Sequence, residues 1–436
     1  MSEQGSADPW EVLRALPFGQ RIELTEEDGS SWTGTVIPSH DLASPRILTL
    51  KLETGYNVGL QVGPGTKYRL LGNPPQRAVA PPAAPSDHAH GRGGIELLMT
   101  GGTIASRVDY ETGGVRPVHG EEEILAFYPE LRDLGAVRIT AVLDVLSENI
   151  TPVDWLTLAG KVVEAFDRGA EGVVITHGTD TMGFTAAALS FLLADLPGPV
   201  VLVGAQRSPD RPSSDGPSNL YAAARVARER GLGEVVIVMH AGLSDDRFAV
   251  HRGTWVRKMH SSRRDAFESR NGPPLGTVDA SGVHWTPAVR RPSPGPARLD
   301  GPIDARGGLL TFYPGLSAAK ARQFVDGLRG VILAGTGLGH IAVEHLPWIR
   351  EATARGVIVA MTTQCLEGVV DPYVYATGRE LLRAGVVFLD DLLPETAYAK
   401  LLWALGHAST AQEVRELLLR DRAGEFHRRR PVEAKP

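Results

Sequence analysis

The chain has 436 residues, 42% of them hydrophobic and 22% charged, with a net charge of −6. That length suits two or three domains, the profile is that of a water-soluble globular protein, and the acidic balance excludes a surface that grips nucleic acid throughout. The single cysteine, Cys365, excludes an intrachain disulfide, and no apolar stretch approaches the roughly 20 residues that span a bilayer. The opening Met1-Ser2-Glu3-Gln4-Gly5 lacks the basic and apolar regions of a secretory signal, so the expectation is a cytoplasmic protein with no membrane partner.

In chain order, residues 17–72 alternate apolar and polar positions around Ile22, Trp32, Ile47 and Tyr68. Short strands separated by Gly, Ser and Asp predict a small β-barrel module over residues 1–73. A Pro-rich linker, residues 74–93, follows; such composition favours an extended tether. From residue 94 strands alternate with helical spacing. Strands are predicted at 95–99, 137–143, 172–175, 200–203 and 235–239, with helices at 155–168 and 185–194. Alternation of this kind implies βαβ units and a parallel sheet. Residues 243–300, rich in Arg and Pro, are expected to wrap the sheet edge. A second α/β region, 301–436, is predicted to hold strands at 308–312, 331–334, 357–361 and 386–389. Its helices are predicted at 318–328, 341–355 and 394–420. The basic run Arg428-Arg429-Arg430 reads as a solvated tail.

Two loops carry the chemistry. Thr100-Gly101-Gly102-Thr103-Ile104-Ala105-Ser106 follows the first strand of the body, and Thr176-His177-Gly178-Thr179-Asp180-Thr181-Met182 follows the third. Open α/β sheets bind ligands at the carboxyl ends of their strands. A threonine hydroxyl is a weak nucleophile until a base takes its proton, and Asp180 sits beside Thr179. A plain helix N-cap is the alternative reading of Thr179-Asp180. The glycines permit close backbone approach, and exposed N–H groups there could stabilise an oxyanion.

These two motifs, in this order, resemble the L-asparaginase/glutaminase family over residues 94 to 420. Gly204-Ala205-Gln206-Arg207-Ser208, the segment Asp210 to Gly216 and Thr362-Thr363-Gln364-Cys365 extend the resemblance. It implies an asparaginase-like body of two α/β domains, 94–300 and 301–436, with the catalytic loops in the first. The β module in front and the stretch Arg257-Lys258-Met259-His260-Ser261-Ser262-Arg263-Arg264-Asp265-Ala266-Phe267 resemble one branch, the D-type subunits of archaeal-type glutamyl-tRNA(Gln) amidotransferases. In that branch the chain releases ammonia from glutamine, and an E-type partner uses ATP and Mg to amidate Glu-tRNA(Gln). The implied assembly is a homodimer within a heterotetramer. No cofactor or metal is expected in this chain.

Carried over residue by residue, the resemblance makes Thr103 the first nucleophile and Thr179, Asp180 and Lys258 the second group. A lysine serves as a base only where burial or nearby cations lower its pKa; Arg252, Arg257, Arg263 and Arg264 crowd this segment in sequence. Asparaginases place their lysine in a Phe-Lys-Ser context, where this chain has Phe267-Glu268-Ser269. Either Lys258 reaches the site from upstream, or the second group is impaired. Ser147 and Glu148 resemble the loop that holds the substrate's α-amino and α-carboxylate groups, beside Gly178, with a plain turn as the alternative. Tyr110 resembles a lid residue that orients Thr103, or is an exposed aromatic. The glycine run from Gly335 to Gly339 puts His340 where a dinucleotide loop needs its third glycine, no phosphate-binding P-loop is present, and the 13 histidines show no zinc spacing. The reading is a glutaminase subunit of an amidotransferase, with a stand-alone cytoplasmic L-asparaginase and a non-catalytic scaffold as the other readings.

Overall fold

The computed structural model describes residues 8–37, 45–52, 57–71, 94–101, 106–108, 115–117, 136–207 and 214–427. Thr103, Tyr110, the linker and the Arg428–Arg430 run lie outside them. Strands are numbered β1 to β23 along the chain. The first five, β1 (Arg21–Thr25), β2 (Ser31–Ile37), β3 (Ile47–Leu52), β4 (Asn57–Gln61) and β5 (Lys67–Leu70), form an antiparallel sheet in the order β4-β3-β2-β1-β5. Its alternating pattern places Ile22, Leu24, Val36, Leu50 and Leu60 in one small core with Leu13. Gly34 is required there, because a Cβ would lie 2.6 Å from the Lys51 carbonyl oxygen on β3.

The body begins with β6 (Ile95–Met99), followed by the short hairpin β7 (Ser106–Val108) and β8 (Val115–Pro117), then β9 (Val137–Ala141) and β10 (Gly172–Thr176). After β11 (Leu193–Ala194) come β12 (Val200–Val203), β13 (Val235–His240) and β14 (Phe248–Arg252). The hairpin β15 (Val256–Lys258) and β16 (Phe267–Ser269) precedes β17 (Gly276–Asp279), β18 (Gly282–Trp285) and β19 (Arg298–Leu299). The main sheet has the order β18-β17-β14-β13-β12-β10-β6-β9. From β9 to β13 neighbouring strands are parallel; from β13 to β18 they are antiparallel. The Arg- and Pro-rich stretch expected only to wrap the edge therefore extends the sheet. The central strands β10, β12 and β13 are buried along their whole length, as strands covered on both faces must be.

The second α/β region is an all-parallel sheet of β20 (Gly307–Thr311), β21 (Gly330–Gly335), β22 (Ile358–Thr363) and β23 (Val387–Phe388), in that order. The helix expected over 341–355 is a 3-10 turn, Val343–His345, followed by Leu346–Ala354, where Pro347 suits the first helical turn. The final helix is two, Pro394–His407 and Ala411–Leu419. Thr410 and Glu413 form a capping box that starts the second. Helix Met182–Leu192 begins three residues earlier than expected, and eight of its 11 residues are buried while none is exposed. It lies between the main sheet and helix Pro394–His407, where Phe191 stacks on Trp403 at 6.2 Å. An apolar surface all round marks a helix covered on every side. Among the described residues, no helix is long and apolar enough to cross a membrane.

Candidate active site

Parallel pairing of β6 with β10 sets Met99 opposite Thr176, so the two threonine loops leave the sheet side by side. The Thr100 hydroxyl, fully buried, donates to the Thr176 carbonyl at 2.8 Å and ties the loops together. Gly101 has φ +91°, and a Cβ there would lie 3.0 Å from the backbone N and O of Val145. Only glycine fits both constraints.

The second loop is held from beneath. The Trp155 indole N–H donates to Thr185 Oγ1 at 3.1 Å. With its oxygen accepting there, the Thr185 hydroxyl donates to His177 Nε2, 2.8 Å away. His177 then carries its proton on Nδ1 and donates it to the Gly178 carbonyl at 2.6 Å. Burial pushes the His177 imidazole down to about 4 against this backbone bond, so it is neutral near pH 7. Burial likewise pushes His251, whose Nδ1 lies 2.8 Å from Ser269 Oγ, down to about 4. Both folded-state values lie below the ordinary 6.5, so the unfolded chain binds more protons between these limits. Stability is full above about pH 6.5 and is lost as pH falls towards 4, by on the order of 3 kcal/mol for each histidine. Urea unfolding at a series of pH values should show this slope, and His251→Gln should flatten it. An unchanged slope in that variant would contradict the assignment.

Ser147 is buried in a 3-10 turn, Ser147–Asn149, after β9. Its carbonyl accepts from the Thr181 hydroxyl at 2.6 Å. A Cβ on Gly178 would lie 2.7 Å from the Ser147 Cβ and 2.8 Å from its Oγ, so the glycine lets the two loops meet. Gly178→Ala should push them apart by a few tenths of an ångström or more. A displacement of about 1 Å costs on the order of 100-fold in rate, so kcat at saturating substrate should fall by up to that factor, and an unimpaired rate would refute the contact's importance. Glu148, next in the turn, is exposed.

The Lys258 side chain reaches Thr179 from upstream in the sequence. Its Nζ donates to Thr179 Oγ1 and to Asp180 Oδ1, each at 2.8 Å. The lysine side chain is 13% exposed, and Asp180 is 69% exposed. In the β15–β16 hairpin Lys258 lies opposite Phe267, and Arg257 lies opposite Glu268. Successive strand residues face opposite sides, so Lys258 reaches Thr179 while Arg257 turns to Glu395 at 3.0 Å. Glu268 is engaged by Arg270 at 2.9 Å. The neighbouring arginines are also taken: Arg252 by Glu234 at 2.6 Å, Arg263 by Asp265, and Arg264 by Asp245 at 3.0 Å. A pair with so exposed a carboxylate is worth only about 0–1 kcal/mol to the fold. The convergence of Thr179, Asp180 and Lys258 therefore contributes little to stability.

A second network, which the sequence does not announce, braces the hairpin. Arg264 bonds Asp245, whose Oδ1 lies 2.8 Å from the buried His240 Nε2. His240 Nδ1 lies 2.7 Å from Asn219 Oδ1, and Asn219 Nδ2 donates to the Gly204 carbonyl at 3.1 Å and to Asp215. Asp215 in turn accepts the N–H groups of Gln206 and Arg207. Gly204 packs on the second threonine loop: a Cβ there would lie 2.7 Å from Thr179 Cγ2. Gly204 and Asp215 fall within the quoted motifs; Asn219, His240 and Asp245 have no telling spacing.

The site and fold define a chain of the asparaginase class. The model described as "Asparaginase, N-terminal" matches residues 94–290, and "Glutaminase/Asparaginase C-terminal domain" matches 308–418. A third, "GatD N-terminal domain", matches 16–71, which is the antiparallel β module. The solved thermostable L-asparaginase of Thermococcus kodakarensis superposes with a TM-score of 0.70 at 35% identity, covering 76% of this chain and 99% of that one. L-asparaginase I of Vibrio cholerae O1 gives 0.67 and 32%, covering 77% and 100%. Relatives named as the D-type subunit of glutamyl-tRNA(Gln) amidotransferase match further. That of Saccharolobus islandicus (strain M.16.27) is 42% identical over 100% of this chain and 99% of its own, and that of Methanopyrus kandleri 43% over 95% and 93%. The chain belongs to the family of glutamyl-tRNA(Gln) amidotransferase D-type subunits.

Proposed function

We propose that this chain is the ammonia-releasing subunit of a glutamyl-tRNA(Gln) amidotransferase. The observation that carries the reading is Lys258 bonded to both Thr179 and Asp180, in a chain that aligns with D-type relatives from end to end. Thr103 attacks the side-chain amide carbon of glutamine or asparagine. Backbone N–H groups of the glycine-rich loops hold the oxyanion. The tetrahedral intermediate collapses, the amide nitrogen leaves as ammonia with the proton given up by Thr103, and an acyl-threonine ester remains. Water held at Thr179, Asp180 and Lys258 hydrolyses that ester. Because Lys258 donates to Thr179 Oγ1, the threonine keeps its own O–H to offer to substrate or water. Ser147 and Glu148 bind the α-substituents beside Gly178, and Tyr110 closes over Thr103.

In this reading an E-type partner binds Glu-tRNA(Gln), holds ATP and Mg, and receives the ammonia; two copies of each chain form a cytoplasmic heterotetramer. The deciding experiment supplies glutamine labelled with 15N in its amide to the chain plus an E-type partner, Glu-tRNA(Gln), ATP and Mg. Labelled Gln-tRNA(Gln), lost when this chain is omitted, supports the reading. The asparaginase neighbours favour one alternative, a free asparaginase. Rapid asparagine hydrolysis with no label reaching tRNA would establish that alternative and overturn the proposal.

A further inference from the structure

Away from the threonine loops, at the other end of helix Met182–Leu192, lies a cavity of about 200 Å³. Its walls are the turn after that helix, the start of β13, residues 290–293 and the C-terminal stretch at Arg422. At 1.5 Å per residue, the helix places it roughly 16 Å from the catalytic loop.

The charges lining this cavity do not cancel. Glu234 accepts from two nitrogens of Arg252, at 2.6 and 3.2 Å, and from the Arg290 backbone N–H at 2.8 Å. Asp195 is taken by Arg298, and Arg422 by Asp300. Arg290 and Arg291, both exposed, are among the residues that line the cavity, and neither has a carboxylate partner among the described residues. Two arginines without a carboxylate partner therefore stand at the mouth of one recess in a chain whose net charge is −6.

The segment that carries them is fixed. The Gly233 N–H donates to the Arg290 carbonyl at 2.9 Å, and the Ser293 N–H donates to the Leu196 carbonyl at 2.9 Å. Gly233 lets Pro292 pack against it: a Cβ there would lie 2.5 Å from the Pro292 Cα. Pro292 and Pro294 restrict the backbone further. The Arg290–Arg291 pair is thus presented by a pinned rim, and Ser293 adds a hydroxyl donor to the same wall.

We infer that this cavity binds a compact oxyanion, a phosphate or a terminal phosphoryl group, between Arg290, Arg291 and Ser293. Guanidinium groups match the geometry of phosphate oxygens. The volume is below the roughly 300 Å³ at which pockets for larger organic ligands begin, so the recess accepts the phosphoryl group and little else. The inference is independent of the role assigned to the threonine loops.

Equilibrium dialysis of the full-length protein against radiolabelled inorganic phosphate tests it. One phosphate should bind per chain, and Arg290→Gln/Arg291→Gln should weaken binding by about tenfold or more with an unchanged thermal midpoint. Arg291→Lys should retain part of the affinity. An RNA oligonucleotide with and without a 5′-phosphate separates the sources. Competition by the phosphorylated form alone identifies an RNA end; competition by neither identifies the free ion or a small ester. Absence of phosphate binding by the wild-type chain, or equal binding by the double variant, overturns the inference.

Discussion

Lys258→Met and Thr179→Val should each lower kcat for glutamine hydrolysis by on the order of 10³, the range that acid–base groups contribute. The double variant should be no worse than the more impaired single one. Lys258 Nζ bonds Thr179 Oγ1 directly, and groups that act as one unit lose their effect together. Folding should be almost untouched, because the exposed Asp180 partner adds little stability. Steady-state ammonia release combined with a thermal melt checks both halves. Full activity in either purified variant would sink the role given to this group, and effects that multiply would show two independent functions.

The second expected result concerns stability. Lys400 and Glu425 are an ion pair with both side chains 0% exposed, 2.5 Å apart. Lys400 Nζ also donates to the carbonyls of Leu418 and Arg420, each at 2.7 Å. Glu425 accepts backbone N–H bonds from Arg422 and Ala423. Removing one partner strands a charge in the interior, so Glu425→Ala should cost about 3–5 kcal/mol. Replacing both with apolar residues should cost less than that single change. Urea denaturation of the three proteins gives the comparison, and an alanine variant as stable as wild type would refute it.

The strands of the body could be read from the sequence because β10, β12 and β13 are covered on both faces and appear as unbroken apolar runs. The threonine loops were visible for the same reason, since each directly follows such a run. The geometry at Lys258 was not. It depends on hairpin register, which pairs Lys258 with Phe267 and turns Glu268 to Arg270, and no local pattern encodes that pairing. The antiparallel strands β17 and β18 were hidden in an Arg- and Pro-rich stretch, and the break before Ala411 by a capping box inside a helical period. Asn219, His240 and Asp245 come together only through the sheet.

Helix Met182–Leu192 belongs to one domain by sequence and to both by packing. Its 11 residues have almost no face suited to water, and Phe191 rests on Trp403 of the second domain. The two halves of the body are therefore a single cooperative unit rather than exchangeable cassettes. A fragment ending near residue 300 would leave this helix with its partner surface stripped away, and aggregation would follow. Grafting a foreign second domain would succeed only if it rebuilt the surface of helix Pro394–His407.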